Sequence, residues 1–113
     1  MSTTHLRRNR VEHTPSERND LTVDCDTPSD VLRTLSSETA QAILGSLGED
    51  PKPVSEISEA VGTTLQNTQY HVDRLVDAGL VEPVDVWYSA KGREMSVYAL
   101  TAGELLVQFG GGD

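Results

Sequence analysis

Side chains that can form specific hydrogen bonds are concentrated between residues 64 and 74 of this chain. Two hydroxyls, three amides and one guanidinium fall at positions that one side of a helix would display: Thr64, Gln66, Asn67, Gln69, Tyr70 and Arg74. In the major groove of DNA, amides pair with adenine, and a guanidinium pairs with guanine or with a phosphate. The same groups equally suit the solvated side of an ordinary amphipathic helix. The neighbouring elements must decide between these two interpretations.

Apolar groups recur in the same stretch at intervals of three and four residues. They are Leu65, Thr68 (by its methyl group), Val72, Leu75 and Val76. This spacing predicts a helix over about residues 64–78 that buries these side chains. Gly62 can end a preceding helix before Thr64 caps this one, and Gly79 can take the left-handed conformation that ends it.

Three shorter helices are predicted upstream. Their apolar positions are, in order, Val31, Leu32 and Leu35; Ala40, Ile43, Leu44 and Leu47; and Val54, Ile57 and Val61. Their caps would be Thr27, then Ser36 or Ser37, then Ser55. Gly48 ends the second helix, and residues 49–53 form a turn with two prolines.

The pattern changes after Gly79. Residues 80–88 and 95–101 alternate between apolar and polar side chains, which predicts two strands. Pro83 favours an edge strand or a bulge near the start of the first strand. The connecting turn carries Lys91 and Arg93. A last apolar helical turn is predicted over residues 104–109.

This order of elements predicts an α+β, mainly helical fold. It is that of a winged helix-turn-helix, with a three- to four-helix core and a two-stranded β-hairpin wing. We expect a disordered N-terminal arm over residues 1–27, the folded domain over residues 28–109, and a flexible tail over residues 110–113. The basic cluster Arg7, Arg8 and Arg10 of the arm either contacts a phosphate backbone or is solvated.

The 113 residues carry a net charge of −9. Residues 1–20 hold four arginines and three acids, or +1, whereas residues 21–113 hold five basic and fifteen acidic residues, or −10. This is a poor match for a polyanion, because phosphate neutralisation supplies much of the affinity for nucleic acid. Either the acids lie away from the DNA, or high salt screens them. The excess of acids over only two lysines favours a salt-adapted, halophilic protein.

Other functions find little support. The single cysteine, Cys25, excludes an internal disulfide, and with His5 and His13 it has no recognised metal-binding spacing. No paired carboxylates or phosphate-binding glycine loop indicate an enzyme, and no cofactor is expected. No apolar run suits a membrane span or a signal peptide, so we expect a cytoplasmic protein.

With these residues in place, residues 29 to about 101 resemble the ArsR-like winged helix-turn-helix transcriptional regulators, in the archaeal, haloarchaeal form. The resemblance is carried by residues 37–44, 54–62, 67–81 and 91–100. Residues 67–81 match the run T-V-S-x-H-L-x-x-L-x-x-A-G-L-V, with His71 on its histidine and residues 78–81 identical. Residues 91–100 look like the wing and its return strand.

The resemblance implies a homodimer on double-stranded DNA, with the helix of residues 64–78 in the major groove and a wing of about residues 84–100 beside it. DNA-facing residues would be Thr64, Gln66, Asn67, Gln69, Tyr70, His71, Arg74, Lys91 and Arg93. His71 either bonds a phosphate or packs at the edge of the core. Lys91 and Arg93 either contact phosphates or are solvated turn residues.

Two departures from the family bear on sensing and assembly. Residues 55–61 have no cysteine and residues 102–113 have no histidine, so metal sensing is not expected. The C-terminal dimerisation helix is reduced to about one or two turns with Leu105, Leu106, Val107 and Phe109, which could pack on the domain or on a second subunit. The alternative function is a winged-helix protein-protein interaction module with an acidic binding surface and no specific DNA binding.

Overall fold

The residues that the structure describes form four helices and two small sheets. The computed structural model describes residue 11 and residues 13–25 and 29–110. The elements in chain order are β1 (Asn19–Val23), α1 (Asp30–Leu35), α2 (Glu38–Leu47), β2 (Lys52–Pro53), α3 (Val54–Val61), α4 (Leu65–Asp77), β3 (Val81–Tyr88), β4 (Glu94–Leu100) and β5 (Leu105–Phe109). All four predicted helices are present. Strands also cover a large part of the described chain, so the fold is a winged helix-turn-helix that is not clearly mainly helical.

The helix caps follow local side-chain chemistry. The hydroxyls of Ser29, Ser37 and Thr64 accept hydrogen bonds from backbone N–H groups in the first turns of α1, α2 and α4. α3 has no such bond, because Pro53 occupies its cap position. The predicted cap at Ser55 was therefore wrong. The predicted cap at Thr27 lies outside the described residues.

The hydrophobic core lies where α2, α3 and α4 meet the base of the hairpin. Ile43, Ile57, Val72 and Leu75 are fully buried, and Thr68 is buried among them. The predicted apolar faces of α2 and α4 are therefore confirmed except at Leu65. That side chain is 57% exposed, because the first turn of α4 extends past the core.

The wing belongs to a three-stranded antiparallel sheet with the strand order β2-β4-β3. The predicted hairpin corresponds to β3 and β4. Pro83 lies on the edge strand, where the register shifts between Pro83 and Asp85, as predicted. The third strand was not predicted: Lys52 and Pro53 pair with Tyr98 and Val97 of β4.

A second, two-stranded sheet joins the two ends of the described chain. β1 and β5 pair in parallel, from Asn19 opposite Leu105 to Val23 opposite Phe109. The structure thus differs from the predicted disordered arm at residues 19–23, and from the predicted helical turn at residues 104–109. Residues 1–10, 12, 26–28 and 111–113, which include Arg7, Arg8, Arg10 and most of the predicted tail, lie outside the described residues.

Polar contacts hold residues 13–19 against the hairpin. His13 Nε2 lies 2.9 Å from the carbonyl oxygen of Leu100 and 3.6 Å from a carboxylate oxygen of Glu82. Asn19 Nδ2 donates to Thr101 Oγ1 at 2.9 Å. These long-range bonds provide the partners that make the N-terminal segment ordered despite its polar composition. In the part of the chain that the structure describes, no helix is long and apolar enough to cross a bilayer.

Candidate nucleic-acid interface

α3 and α4 form a helix-turn-helix with a glycine at the turn. Gly62 has a φ of 84°, a left-handed conformation that favours glycine, and its N–H donates to the carbonyl of Ser58. The Oγ1 of Thr64 then accepts from the N–H of Asn67 at 3.0 Å. The turn predicted at residues 62 and 63 is confirmed, and it sets where the first turn of α4 begins.

α4 displays an exposed polar side that the core leaves free. Gln66, Gln69 and Tyr70 are exposed, and Tyr70 retains 54% of its accessible surface. Asn67 is different, since it is half-buried and its Nδ2 donates to Thr63 Oγ1 at 3.0 Å. Its amide helps to hold the turn, so it is less available to an external partner than the two glutamine amides.

Gln69 has an acidic neighbour one turn further along the helix. Its Nε2 donates to Oδ1 of Asp73 at 2.8 Å. An i,i+4 bond of this kind on a helix surface contributes about 0.2–0.5 kcal/mol. This bond therefore orients the Gln69 amide, but it is weak enough that the amide can leave Asp73 and bond another partner.

Arg74 contacts both α4 and α1. Its guanidinium lies 5.8 Å from the centre of the Tyr70 ring, and one nitrogen donates to the Tyr70 hydroxyl at 3.3 Å. Its other terminal nitrogen donates to Oγ1 of the buried Thr34 at 3.4 Å. Sequence spacing placed Arg74 on the polar side, but the contact with Thr34 depends on how α1 packs, and no local signal indicated it.

His71 packs at the edge of the core. It is half-buried, and its ring meets that of Tyr70 edge to face, with 5.1 Å between centroids and 79° between the planes. Of the two roles left open by the sequence, this position favours packing. The Tyr70 side chain is thus constrained by two neighbours, the ring of His71 and the guanidinium of Arg74.

The tip of the β3–β4 hairpin is organised by one serine. Ser89 Oγ accepts from the backbone N–H of Lys91 at 3.3 Å and of Arg93 at 3.0 Å. Gly92 between them has a φ of 80°. The two basic side chains are exposed, and neither forms an ion pair within the described chain. They are therefore free to meet an anionic partner.

Ion pairing separates the basic residues of the domain into two groups. Within residues 29–110, Arg33 pairs with Asp30 at 3.0 Å and Lys52 pairs with Asp50 at 2.8 Å. The basic side chains of that range without a carboxylate partner are Arg74, Lys91 and Arg93. They lie on α4 and at the hairpin tip, the elements that the sequence indicated.

Acidic side chains share these elements. Asp73 and Asp77 are exposed in the second half of α4, and Asp85 and Glu94 are exposed on the hairpin strands. The first turns of α4 carry no acid. The described residues contain no cluster of three or more His, Cys, Asp or Glu side chains arranged to hold a metal ion.

Comparison with known proteins supports this description of the fold. A family model described as a helix-turn-helix domain matches residues 35–84, which include α2, α3 and α4. No curated protein sequence matches the chain.

Three solved structures resemble the chain at low sequence identity. The solution structure of a homodimeric winged helix-turn-helix DNA-binding domain from Mycobacterium bovis, described as a possible ArsR-family regulator, is 22% identical, with a TM-score of 0.54 over 64% of this chain and 61% of that one. A crystal structure of a possible transcriptional regulatory protein from the same organism has 24% identity and a TM-score of 0.53, covering 64% and 71% of the two chains.

The third is the crystal structure of an ArsR family transcriptional regulator. It is 25% identical, with a TM-score of 0.51 over 63% of this chain and 71% of that one. The chain spans less than two thirds of the first of these relatives. Residues 35–84 thus contain a helix-turn-helix domain, and the chain has a winged helix-turn-helix fold.

Proposed function

We propose that the chain is a sequence-specific DNA-binding transcriptional regulator of the ArsR-like type. α4 lies in the major groove and the hairpin of about residues 84–100 lies beside it. The observation that carries this proposal is the distribution of charge: within residues 29–110, the cations without a carboxylate partner are on α4 and the hairpin tip. Phosphate neutralisation by such cations is the main source of affinity for DNA.

Side chains on the first turns of α4 would supply the specificity. Gln66 and Gln69 are exposed amides that can each form two hydrogen bonds with adenine. Tyr70 is held by Arg74 and His71 and would contact the groove wall or a base edge. The start of α4 at Thr64 presents backbone N–H groups to a phosphate. Asn67 and Arg74 support this surface from within, through Thr63 and Thr34.

Lys91 and Arg93 would contact the phosphates of the flanking groove. Their contribution is independent of sequence, because phosphate contacts position a protein and base contacts specify the site. Removing either should weaken binding to all DNA to a similar extent.

The acidic background sets the conditions for binding. With a net charge of −9, long-range repulsion would oppose DNA at low ionic strength, whereas at about 1 M salt the screening length falls to about 3 Å. We propose a halophilic protein of archaeal origin that binds DNA in high salt. Unfolding measured in low and in molar salt tests this, and equal stability in both would contradict it.

The remaining parts of the proposal follow from DNA binding. A regulator of this fold would act as a homodimer on a pseudo-palindromic site, and one of the similar structures is described as homodimeric. It would act where the chromosome lies, in the cytoplasm. We propose no enzymatic activity, cofactor or metal for it.

The second candidate is a module that binds a basic protein through its acidic surface. Asp73 and Asp77 on α4 favour it, since they place carboxylates on the helix that would otherwise enter the groove. The two functions make opposite predictions for removing these charges, and they can be separated by one titration.

A gel shift in high salt tests the proposed function. The DNA should be the promoter of the protein's own gene and a random-sequence library selected for binding. Gln66→Ala serves as the test variant and Gln41→Ala, an exposed amide on α2, as its matched control. We expect a shift that Gln66→Ala weakens and Gln41→Ala leaves unchanged. No shift on either DNA would favour the protein-binding module.

A further inference from the structure

The sheet formed by β1 and β5 has an apolar side that the domain covers only in part, through Leu105, which packs against the core. Side chains of directly paired residues lie on the same side of a sheet. Leu21, Val23, Leu105 and Val107 therefore share one side, and all four are half-buried. Phe109 shares that side and is 80% exposed. An isolated two-stranded sheet is marginal in water. A further strand along an open edge would therefore stabilise this small sheet.

The outer edge of β5 is open in a regular pattern. Asn19 donates its N–H to Glu104, and Gly110 donates its N–H to Val23. Because backbone groups of alternate residues point to opposite sides of a strand, residues 104, 106, 108 and 110 face β1. The N–H and C=O groups of Leu105, Val107 and Phe109 therefore face away from it, along an edge that pairs with no other strand in the described chain.

Charge distinguishes this edge from the rest of the molecule. Asp20 is the one charged residue among the ten residues of β1 and β5, in a chain in which 24% of residues are charged. Asp20 and Thr22 are the β1 residues that face the opposite, outer edge of the sheet, and a charge on an edge strand discourages pairing. The edge of β5 lacks such protection.

We propose that β5 pairs with β5 of a second copy of this chain, antiparallel about a two-fold axis through Val107. Val107 then faces its own equivalent, and Leu105 faces Phe109 of the other copy, each pair exchanging both hydrogen bonds. The result is a continuous four-stranded sheet. The three edge residues form one apolar side with Leu21 and Val23, so the two-fold arrangement places an apolar cross-strand neighbour beside Phe109.

A second copy is the partner that this edge fits best. The strand Leu105–Phe109 can pair with a second copy of itself about Val107. The three residues whose backbone groups face away from β1 are all apolar, so each meets an apolar residue of the other copy. In a chain with a net charge of −9, other surfaces of two copies repel each other, whereas this edge does not. Among the described strands, β5 pairs with β1 alone, so its other edge is available to a second copy.

Proline substitutions test the edge directly. Val107→Pro removes an N–H that points away from β1, so it leaves the β1–β5 bonds in place and removes two hydrogen bonds at the two-fold axis. Thr22→Pro is the matched control, since it removes an outward N–H from the opposite edge of the same sheet. Masses are measured by light scattering without DNA, at micromolar protein and high salt, and circular dichroism checks folding.

We expect the unmodified chain and Thr22→Pro to be dimers and Val107→Pro to be a monomer of native helical content. A monomeric unmodified chain would overturn the proposal, as would a dimeric Val107→Pro variant. Since mass is measured without DNA, this result is independent of whether the chain binds an operator.

Cysteine cross-linking tests the register. In a Cys25→Ser background, Val107→Cys places two cysteines on the axis with Cα atoms about 5.5 Å apart, within the range for a disulfide. Gln108→Cys is the control, because its equivalents would be about 8 Å apart, beyond that range. Mild oxidation should give a covalent dimer with Val107→Cys only. Equal cross-linking of both variants would refute the register and hence the proposal.

Discussion

Replacing Asp73 by asparagine separates the two candidate functions by the sign of its effect. Asp73 is exposed on α4, and its Oδ1 accepts the hydrogen bond from Gln69 Nε2 at 2.8 Å. The amide oxygen of asparagine can accept the same bond, so the substitution removes the charge and leaves the geometry of Gln69 in place. Any change in binding then reports the electrostatic environment of this helix.

The expected magnitude follows from the charge alone. A carboxylate about 7 Å from a phosphate is disfavoured by about 0.6 kcal/mol in water. With two such phosphates along the groove, the total is about 1 kcal/mol, or roughly a fivefold lower Kd for Asp73→Asn. At about 1 M salt the screening length is about 3 Å, and most of this gain should disappear.

Fluorescence anisotropy of a labelled DNA selected by the protein measures this effect at moderate and at molar salt. Glu49→Gln is the matched control, because Glu49 is an exposed acid in the turn after α2, outside α3, α4 and the hairpin. If Asp73→Asn left DNA affinity at moderate salt unchanged or lowered it, α4 would not lie in the groove. Weaker binding to a basic protein partner would then support the acidic module.

Three further outcomes follow from the site and the core. Gln66→Ala or Gln69→Ala should cost about 1–3 kcal/mol at the preferred site and relax the base preference, which sequencing of bound library DNA would show. Lys91→Ala should weaken all DNA about equally and lower the slope of log K against log salt by about one; an unchanged slope would show that Lys91 is solvated. Ile57→Ala should lower the free energy of unfolding by about 2–5 kcal/mol in denaturant titrations.

The sequence predicted the helical core well because its signals are local. Thr68, Val72 and Leu75 follow the helical period, and all three are buried. Gly79 ends α4 with a φ of 79°, and the N–H of Leu80 bonds the carbonyl of Leu75. Such spacing and end signals depend on neighbours a few residues apart, which a single sequence displays directly.

The features that were missed depend on distant residues. Lys52 and Pro53 form a strand only because β4 lies beside them. Residues 105–109 are an apolar run without strict alternation, which periodicity alone cannot assign to a helix or a strand. The sequence placed Arg74 on the polar side of α4, but its bond to Thr34 requires the packing of α1. The directions of the DNA-facing side chains stay predictions.

Joining β1 to β5 has a consequence for the order of folding. Asn19 and Thr101, which are bonded beside this sheet, are 82 residues apart in the chain. Closing such a long loop is entropically costly unless the intervening chain is already compact, and contacts of high sequence separation slow folding. The helices and the hairpin should therefore form first, and the two chain ends should join last. A ribosome-bound or prematurely terminated chain would present the helix-turn-helix without this closing sheet.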